Sequence, residues 1–224
     1  MERTDPEFEE KVARAYQDSG HALGYSQKHE RSWATRFKDR REQNLMRRAL
    51  ARTGKVQRIL DCPSGTGRFW NLLSEFCDEL LVADASAEMI EAGRVRHPGI
   101  DLADVAVGRA QDLPHEEASV DTIFCSRLLH HFLKREQRIE ILSCLASITR
   151  KHVIFSAWVT GNLKHRRDLL NSLRRPGRSQ TRFFVPRGEL EAEAREAGLA
   201  PRSVFYKMRG VSPLVVLVCD KISE

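Results

Sequence analysis

The sequence predicts an α/β fold with a doubly wound, mostly parallel sheet that ends in an antiparallel hairpin. Two observations lead to this class. Between residues 56 and 158, short apolar runs of strand length alternate with amphipathic helical segments, a pattern typical of βαβ units. The last two apolar runs are joined only by 209–212, a connection too short for a parallel crossover. One domain around a buried seven-stranded sheet is therefore expected.

Composition excludes several classes of protein. The 224 residues are 41% hydrophobic and 30% charged, which is enough apolar material for a core without disulfides or metals. No run approaches the roughly 20 apolar residues of a membrane helix, and the polar start is unlike a secretory signal, so a cytoplasmic location is expected. The five cysteines are odd in number and lack C-x-x-C spacing, which argues against a disulfide framework or a zinc site. The net charge of +6 is compatible with an anionic partner.

The elements are placed by hydrophobic periodicity and by glycine or proline breaks. Residues 1–53 are predicted to form a helical cover within the same domain, with one helix capped by Asp5 and another over 40–53. The main domain is predicted over 54–224. Strands are predicted over 56–60, 80–83, 100–107, 120–125, 152–158, 202–208 and 213–219. Helices are predicted over 69–76, 86–95, 136–148 and 187–197.

A glycine turn follows the first strand of the main domain. Asp61 ends the strand, and Pro63-Ser64-Gly65-Thr66-Gly67 leads into a helix. Glycines let a ligand approach the backbone, and the amides of a helix N-terminus favour polar or anionic groups. A tight turn without a ligand is the alternative interpretation. Two other nucleotide motifs fit poorly, because Trp70 stands where a dinucleotide fingerprint needs a small residue and the chain lacks the Gly-Lys-Ser/Thr of a P-loop.

A second motif follows the second strand. Asp84 lies about 20 residues after the glycine turn, the spacing at which a carboxylate meets a ribose hydroxyl. Ser86, two residues on, is suited to cap the next helix. The two motifs together predict a ligand that contains a nucleoside; an Asp84 that acts only as a cap is the alternative.

These segments resemble the class I S-adenosylmethionine-dependent methyltransferases, a Rossmann-like family, and in particular a glycine-turn variant of its bacterial small-molecule members. The family's strand-D-x-G-x-G-x-G and D-x-S-x-x-M motifs are matched here, except that Pro63 replaces the first glycine. The resemblance implies S-adenosylmethionine as cofactor and S-adenosylhomocysteine as product. It also implies a set of cofactor-binding residues in these two motifs: Asp61, Pro63, Gly65, Gly67, Asp84, Ala85 and Met89.

The resemblance extends to two further segments and covers roughly 56–219. Residues 107–114 are similar to the family's G-D-A-x-x-L-P segment, which implies that Ala110 and Gln111 lie near the adenine. Arg109 stands where the family often has an acid or an amide. Residues 119–126 are similar to the family's S-F-D-x-V motif, which implies that Ser126 lies beside the sulfonium.

The candidate catalytic residues are His131 and, after it, His130, which follow the fourth strand. A histidine has a pKa suited to a general base, and an acceptor oxygen or nitrogen needs a proton removed. The alternative is that one histidine packs against the fold while the other is solvated. In the N-terminal cover, Arg36 is a candidate partner of the methionine carboxylate, with a solvated charge as the alternative. No metal is expected to take part.

The basic stretch 164–182 is expected to shape the acceptor pocket or to form a solvated loop. A small-molecule methyltransferase is the first hypothesis, with an anionic acceptor such as a phosphorylated sugar, a lipid or glycolipid precursor, or a quinone precursor. An RNA-modifying methyltransferase is the second, because clustered cations also bind phosphates. A non-catalytic regulatory protein that binds S-adenosylmethionine is the third, and a nicotinamide-dependent oxidoreductase comes last. The oligomeric state stays open.

Overall fold

A computed structural model of the chain describes residues 33–174 and 182–222. Seven strands form one sheet in the order β3-β2-β1-β4-β5-β7-β6, in which β7 runs in the direction opposite to the other six strands. The strands are β1 (Val56–Asp61), β2 (Cys77–Asp84), β3 (Asp104–Val107), β4 (Val120–Cys125), β5 (Thr149–Trp158), β6 (Leu199–Tyr206) and β7 (Leu214–Lys221). The predicted fold class, including the terminal hairpin, is confirmed.

Helices cover both faces of the sheet. They are α1 (Trp33–Leu50), α2 (Trp70–Leu73), α3 (Ala87–Arg96), α4 (Arg135–Ile148), α5 (Leu163–Arg174) and α6 (Arg187–Glu196), with a 3-10 turn at Leu129–His131. One core layer joins α1, α2 and α3 to the sheet, and the other joins α4 and α6 to the opposite face. Because both faces are covered, β4 is buried at every residue and shows no alternation of polarity. None of the described helices is long and apolar enough to cross a lipid bilayer.

The order of the strands reverses at β1. Its last residue, Asp61, is paired with Val82 of β2 on one side and with Phe124 of β4 on the other. In open α/β sheets, ligands bind beyond the carboxyl ends of the strands where the order reverses. The loops that follow β1, β2 and β4 are therefore the place to look for a site.

Several predicted boundaries were wrong. Helix α1 begins at Trp33 instead of residue 40 and ends at Leu50. The sequence pattern did not show this extent because polar residues that interrupt the apolar pattern of the helix pair with other elements. Asp39, for example, accepts from Arg68 at 2.6 Å. The helix after the glycine turn is only the four residues of α2, and β3 begins at Asp104 instead of residue 100. Residues 1–32, with the predicted helix from Asp5, lie outside the described residues, so the division into cover and main domain stays a prediction.

The basic stretch contains α5, which the sequence pattern did not indicate. The Asn162 side chain accepts a hydrogen bond from the His165 amide at 3.0 Å and so caps the start of the helix. Lys164 and Asp168 form an ion pair one turn apart at 2.6 Å. These local bonds give the segment helical structure although its residues are mostly polar.

Candidate functional site

The glycine turn is held between the ends of β1 and β2. The Ser64 amide donates to the carbonyl of Ala83 at 2.9 Å, and the Gly67 amide donates to the carbonyl of Ser64 at 3.1 Å. Gly65 and Gly67 have φ angles of +52° and +71°, a backbone region that other residues rarely adopt. The half-buried Pro63 precedes them, and its peptide bond with Cys62 is cis.

The two glycines serve different purposes. A Cβ on Gly67 would lie 2.5 Å from Cδ2 of Trp70, and one on Gly93 of α3 would lie 2.6 Å from Cη2 of the same ring. The indole, which is completely buried, therefore fills the space between the turn and α3, where a dinucleotide-binding fold needs a small residue. A Cβ on Gly65 would meet nothing within 4 Å, so this side of the turn is open to a ligand.

Asp84 connects the turn with the end of β2. Its Oδ2 accepts from the Gly65 amide at 2.8 Å and its Oδ1 from the Ser86 amide at 3.0 Å. Burial raises the pKa of Asp84, although these amide hydrogen bonds oppose the rise. Two carboxylate oxygens offer about four acceptor positions, so Asp84 keeps capacity for a further donor such as a ribose hydroxyl.

Buried polar atoms without a partner lie at this edge of the sheet. Asp61 is 2% exposed, and its Oδ1 accepts no hydrogen bond from the described residues. Burial and then the neighbouring Asp84 raise the pKa of Asp61 well above its usual value, although the nearby Trp70 side chain opposes the rise. The other such atoms at the ends of β1 and β4 are Ser64 Oγ, Ser126 Oγ and His130 Nδ1. Since an unpaired buried polar group costs about 1–3 kcal/mol, this cluster fits a polar ligand that supplies partners.

The remaining predicted cofactor residues differ in their surroundings. Met89 is buried in α3, and its amide donates to the capping Oγ of Ser86 at 3.2 Å, whereas Ala85 is exposed beside the cap. Ala110 packs into the core on the α4 side. Gln111, with its amide oxygen turned toward Arg109, accepts from the guanidinium Nε at 3.1 Å. The Gly108 amide donates to the carbonyl of Asp84 at 3.0 Å and thereby places the 108–114 segment beside this site.

The predicted role of Arg36 falls outside the described side chains, although its backbone belongs to α1. Another residue of α1, which sequence reasoning missed, lies at the site. The Glu42 side chain is 1% exposed and accepts from Arg68 at 3.0 Å, from Arg127 at 2.8 Å and from Lys207 at 2.7 Å. Burial alone would raise the pKa of Glu42, but Arg127, Arg68 and Lys207 outweigh burial and hold that pKa well below its usual range.

This Glu42 cluster joins four parts of the chain. Arg68 follows the glycine turn, Arg127 follows β4 and Lys207 follows β6, so one carboxylate fixes three loops to α1. Arg127 has a φ of +63°, which is uncommon for a residue with a side chain, and its amide donates to Ser156 Oγ at 2.7 Å. A residue that is kept in a strained conformation by bonds of both its backbone and its side chain is typical of a functional loop.

The two candidate histidines lie side by side at the end of β4, with ring centroids 4.3 Å apart. His130 is buried and stacks on Trp158 at 4.9 Å with an interplanar angle of 6°. Burial, and then the neighbouring His131, Arg182 and Arg127, lower the pKa of His130 to about 2. His130 is therefore neutral at physiological pH and a weak base. Within 33–174 and 182–222, no group of three or more His, Cys, Asp or Glu residues could hold a metal ion.

Comparison with known proteins supports the predicted resemblance to methyltransferases. Residues 59–152 match the family model of a methyltransferase domain. A ubiquinone/menaquinone biosynthesis C-methyltransferase of Rubrivivax gelatinosus is 36% identical over 97 residues, which are 43% of this chain and 34% of that protein. A malonyl-[acyl-carrier protein] O-methyltransferase of Methylococcus capsulatus is 29% identical over 143 residues, which are 63% of this chain and 51% of that protein. The chain spans about half or less of the length of the curated relatives it matches.

A solved structure is similar over nearly the whole chain. The magnesium protoporphyrin IX methyltransferase of Synechocystis, crystallised with S-adenosylhomocysteine, has a TM-score of 0.74 and 12% identity and covers 95% of this chain and 99% of its own. The strand order and this structural similarity thus define a protein with the class I S-adenosylmethionine-dependent methyltransferase fold. Residues 59–152 form a methyltransferase domain, and such a domain implies S-adenosylmethionine as its cofactor. The resemblance to the class I S-adenosylmethionine-dependent methyltransferases is confirmed, whereas the glycine-turn variant of bacterial small-molecule members stays a prediction.

Proposed function

We propose that this chain transfers the methyl group of S-adenosylmethionine to a small acceptor molecule at the carboxyl ends of β4 and β5. The observation that carries the proposal is the cluster of unpartnered buried polar atoms beside Asp84 and the open side of Gly65. An anionic acceptor is the first class to screen, because Arg127 and Lys134 follow β4 and the basic stretch 164–182 follows β5. Two relatives are named for ubiquinone/menaquinone biosynthesis and for malonyl-[acyl-carrier protein], and these names support a small or carrier-bound acceptor.

The residues present fit the cofactor. Asp84 has free acceptor capacity for a ribose hydroxyl, and the unpaired oxygen of Asp61 suits the ammonium of the methionine part. A cation there would also favour the charged form of the Asp61 carboxyl and reverse the effect of burial. The open glycine turn would take the methionine backbone, while the 108–114 loop, with Ala110 and Gln111, is proposed to border the adenine.

The chemistry is an in-line displacement. The cofactor supplies a methyl group that its sulfonium already activates, so the protein contributes mainly position and orientation. The Arg127 amide, which donates to Ser156 Oγ at 2.7 Å, fixes the end of β4, where the acceptor nucleophile would approach. We assign the proton-accepting role to His131, which is half-buried on the same turn as His130. The neutral His130 is proposed to hold the acceptor side of the pocket by packing on Trp158.

A substitution separates these roles. His131→Ala is expected to lower turnover by about a hundredfold, because general base catalysis typically contributes that much or more. Affinity for S-adenosylhomocysteine should stay within twofold of that of the original chain. Turnover is measured with the acceptor found by screening, and His97→Ala, which alters a histidine beside Trp70, is the control. Unchanged turnover in His131→Ala would assign that histidine to packing.

Calorimetric titration of S-adenosylmethionine, S-adenosylhomocysteine and NAD into the purified chain tests the proposed function. Micromolar binding of the two sulfur ligands without binding of NAD is expected. Transfer of labelled methyl groups is then screened with carboxylates, phosphorylated small molecules and RNA. Labelling of RNA alone would favour the RNA-modifying alternative, for which the exposed Arg166 and Arg167 on α5 are the supporting observation. Binding of the sulfur ligands without labelling of any acceptor would favour the regulatory alternative.

A further inference from the structure

A set of aromatic rings forms one wall of the space beyond β5. Trp158, the last residue of β5, stacks on His130 and lies 5.4 Å from the ring of Phe184. Phe184 in turn lies 4.9 Å from the ring of His165 on α5. We call these four residues the aromatic wall. It extends from the turn that carries the candidate base to α5 and therefore borders the acceptor side of the site.

Two cations lie on the aromatic wall. Lys164 Nζ is 4.8 Å from the centre of the Trp158 ring, and the guanidinium carbon of Arg182 is 5.2 Å from the same centre. Lys164 also lies 5.9 Å from the centre of the Phe184 ring. A cation at these distances from an indole is attracted by the face of the ring. Both positive charges therefore lie within 5.2 Å of the centre of one indole ring at the end of β5.

The backbone fixes the arrangement. Lys164 lies in the first turn of α5, which the Asn162 side chain caps. The amide of Phe183 donates to the carbonyl of His130 at 2.7 Å, and the amide of Val185 donates to the carbonyl of Trp158 at 2.9 Å. These bonds tie the segment that carries Arg182 to the ends of both β4 and β5. The two cations are thus placed by separate, anchored segments.

The charges at this position are not balanced. Lys164 is paired with Asp168, but no carboxylate among the described residues lies within ion-pairing distance of Arg182. Like charges that are held close together repel each other, and an indole face offsets this repulsion only in part. Arg127 and Arg182 also lower the pKa of His130, which stacks on Trp158, because their positive charges oppose its protonation. The space beside Trp158 therefore has a positive potential that an anion would neutralise.

We propose that Lys164 and Arg182 bind an anionic group of the acceptor, a carboxylate or a phosphate, beside Trp158. This inference rests on the proposed methyl transfer and names the acceptor class of that same site. The anion would be fixed by the two cations, and the flat or apolar part of the acceptor would lie along the aromatic wall. The group to be methylated would then face the end of β4, where His131 lies.

The test uses three probes of one shape: 2-naphthoate, 2-naphthyl phosphate and neutral 2-naphthalenemethanol. Each is titrated into the 224-residue chain saturated with S-adenosylhomocysteine. We expect at least one anionic probe to bind about tenfold more tightly than the neutral probe, because a hydrogen bond to a charged partner is worth at least that much. The comparison of naphthoate with naphthyl phosphate distinguishes a carboxylate acceptor from a phosphorylated one.

Variants assign the effect to particular residues. Lys164→Gln and Arg182→Gln should each weaken binding of the preferred anionic probe about tenfold and leave the neutral probe unchanged. Arg167→Gln removes one positive charge from the exposed face of the same α5 and should change binding less than twofold. All three variants should bind S-adenosylhomocysteine as the original chain does.

The outcomes separate the two proposals. Failure of the unsubstituted chain to bind S-adenosylhomocysteine would contradict the proposed function. Normal binding of that ligand, with no preference for an anionic probe or no binding of any probe at millimolar concentration, would overturn only the acceptor proposal. An equal loss of anionic probe binding in Arg167→Gln would also overturn it, because the effect would then follow net charge instead of the cations at Trp158.

Discussion

Replacement of Asp84 by alanine is expected to weaken binding of S-adenosylhomocysteine by roughly tenfold to a hundredfold. The change removes a buried charged acceptor, which is worth about 1.5–3 kcal/mol per hydrogen bond to a charged group. It also releases the amides of Gly65 and Ser86, which Asp84 now holds at 2.8 and 3.0 Å. The glycine turn would keep only the bond from the Ser64 amide to the carbonyl of Ala83 as its connection to β2, so part of the entropic cost of ordering the turn would be added to binding. Calorimetric titration measures the affinity.

Two further variants make the result specific. Asp101→Ala removes an exposed carboxylate that lies before β3 and should leave the affinity unchanged. Asp84→Asn keeps one acceptor oxygen and should show an intermediate loss. The thermal unfolding midpoint of each variant is measured beforehand, so that a loss of folded protein is not counted as a loss of affinity. If Asp84→Ala binds S-adenosylhomocysteine as the original chain does, Asp84 acts only as a cap and the assignment to ribose is wrong.

The parts of the site that could be predicted from the sequence depend on neighbours along the chain. Asp84 contacts the amide of Gly65, which is 19 residues away, and both belong to one βαβ unit whose elements follow local patterns. Trp70 is a similar case. It occupies the position at which a dinucleotide-binding motif has a third small residue, and its ring packs against Gly67, only three positions earlier. Periodicity and turn chemistry are enough to find such features because strand, turn and helix are each coded within a few residues.

The Glu42 cluster and the cations at Trp158 could not be predicted in this way. Glu42 meets Arg127 and Lys207, which are 85 and 165 residues away in sequence, so no local pattern distinguishes it from a solvated helix residue. Lys164 and Arg182 were part of a basic stretch whose total charge was evident. Only the fold shows that these two share Trp158, whereas Arg166 and Arg167 on the same helix are exposed.

Glu42→Gln is expected to lower the free energy of unfolding by about 3 kcal/mol, the lower end of the range for breaking a buried ion pair. The amide cannot neutralise Arg68, Arg127 and Lys207, which would remain close together around a buried neutral group. The lower end applies because Arg127 is 34% exposed and keeps some contact with water. Urea unfolding monitored by circular dichroism measures the change. Glu75→Gln, which breaks the exposed pair with Arg47, is the matched control and should have little effect.

The dependence of this effect on pH identifies its cause. The cations hold the pKa of Glu42 in the folded protein below the value of about 4.5 of an unperturbed glutamate. A carboxyl whose pKa is lowered by folding contributes its full stabilisation above the pKa of the unfolded chain and loses it as the pH falls toward the folded pKa. The difference in stability between the original chain and Glu42→Gln should therefore be constant near neutral pH and shrink below about pH 4.5. A difference that stays constant down to pH 3 would show that packing, and not the charge of Glu42, holds α1 on the glycine turn and on the end of β4.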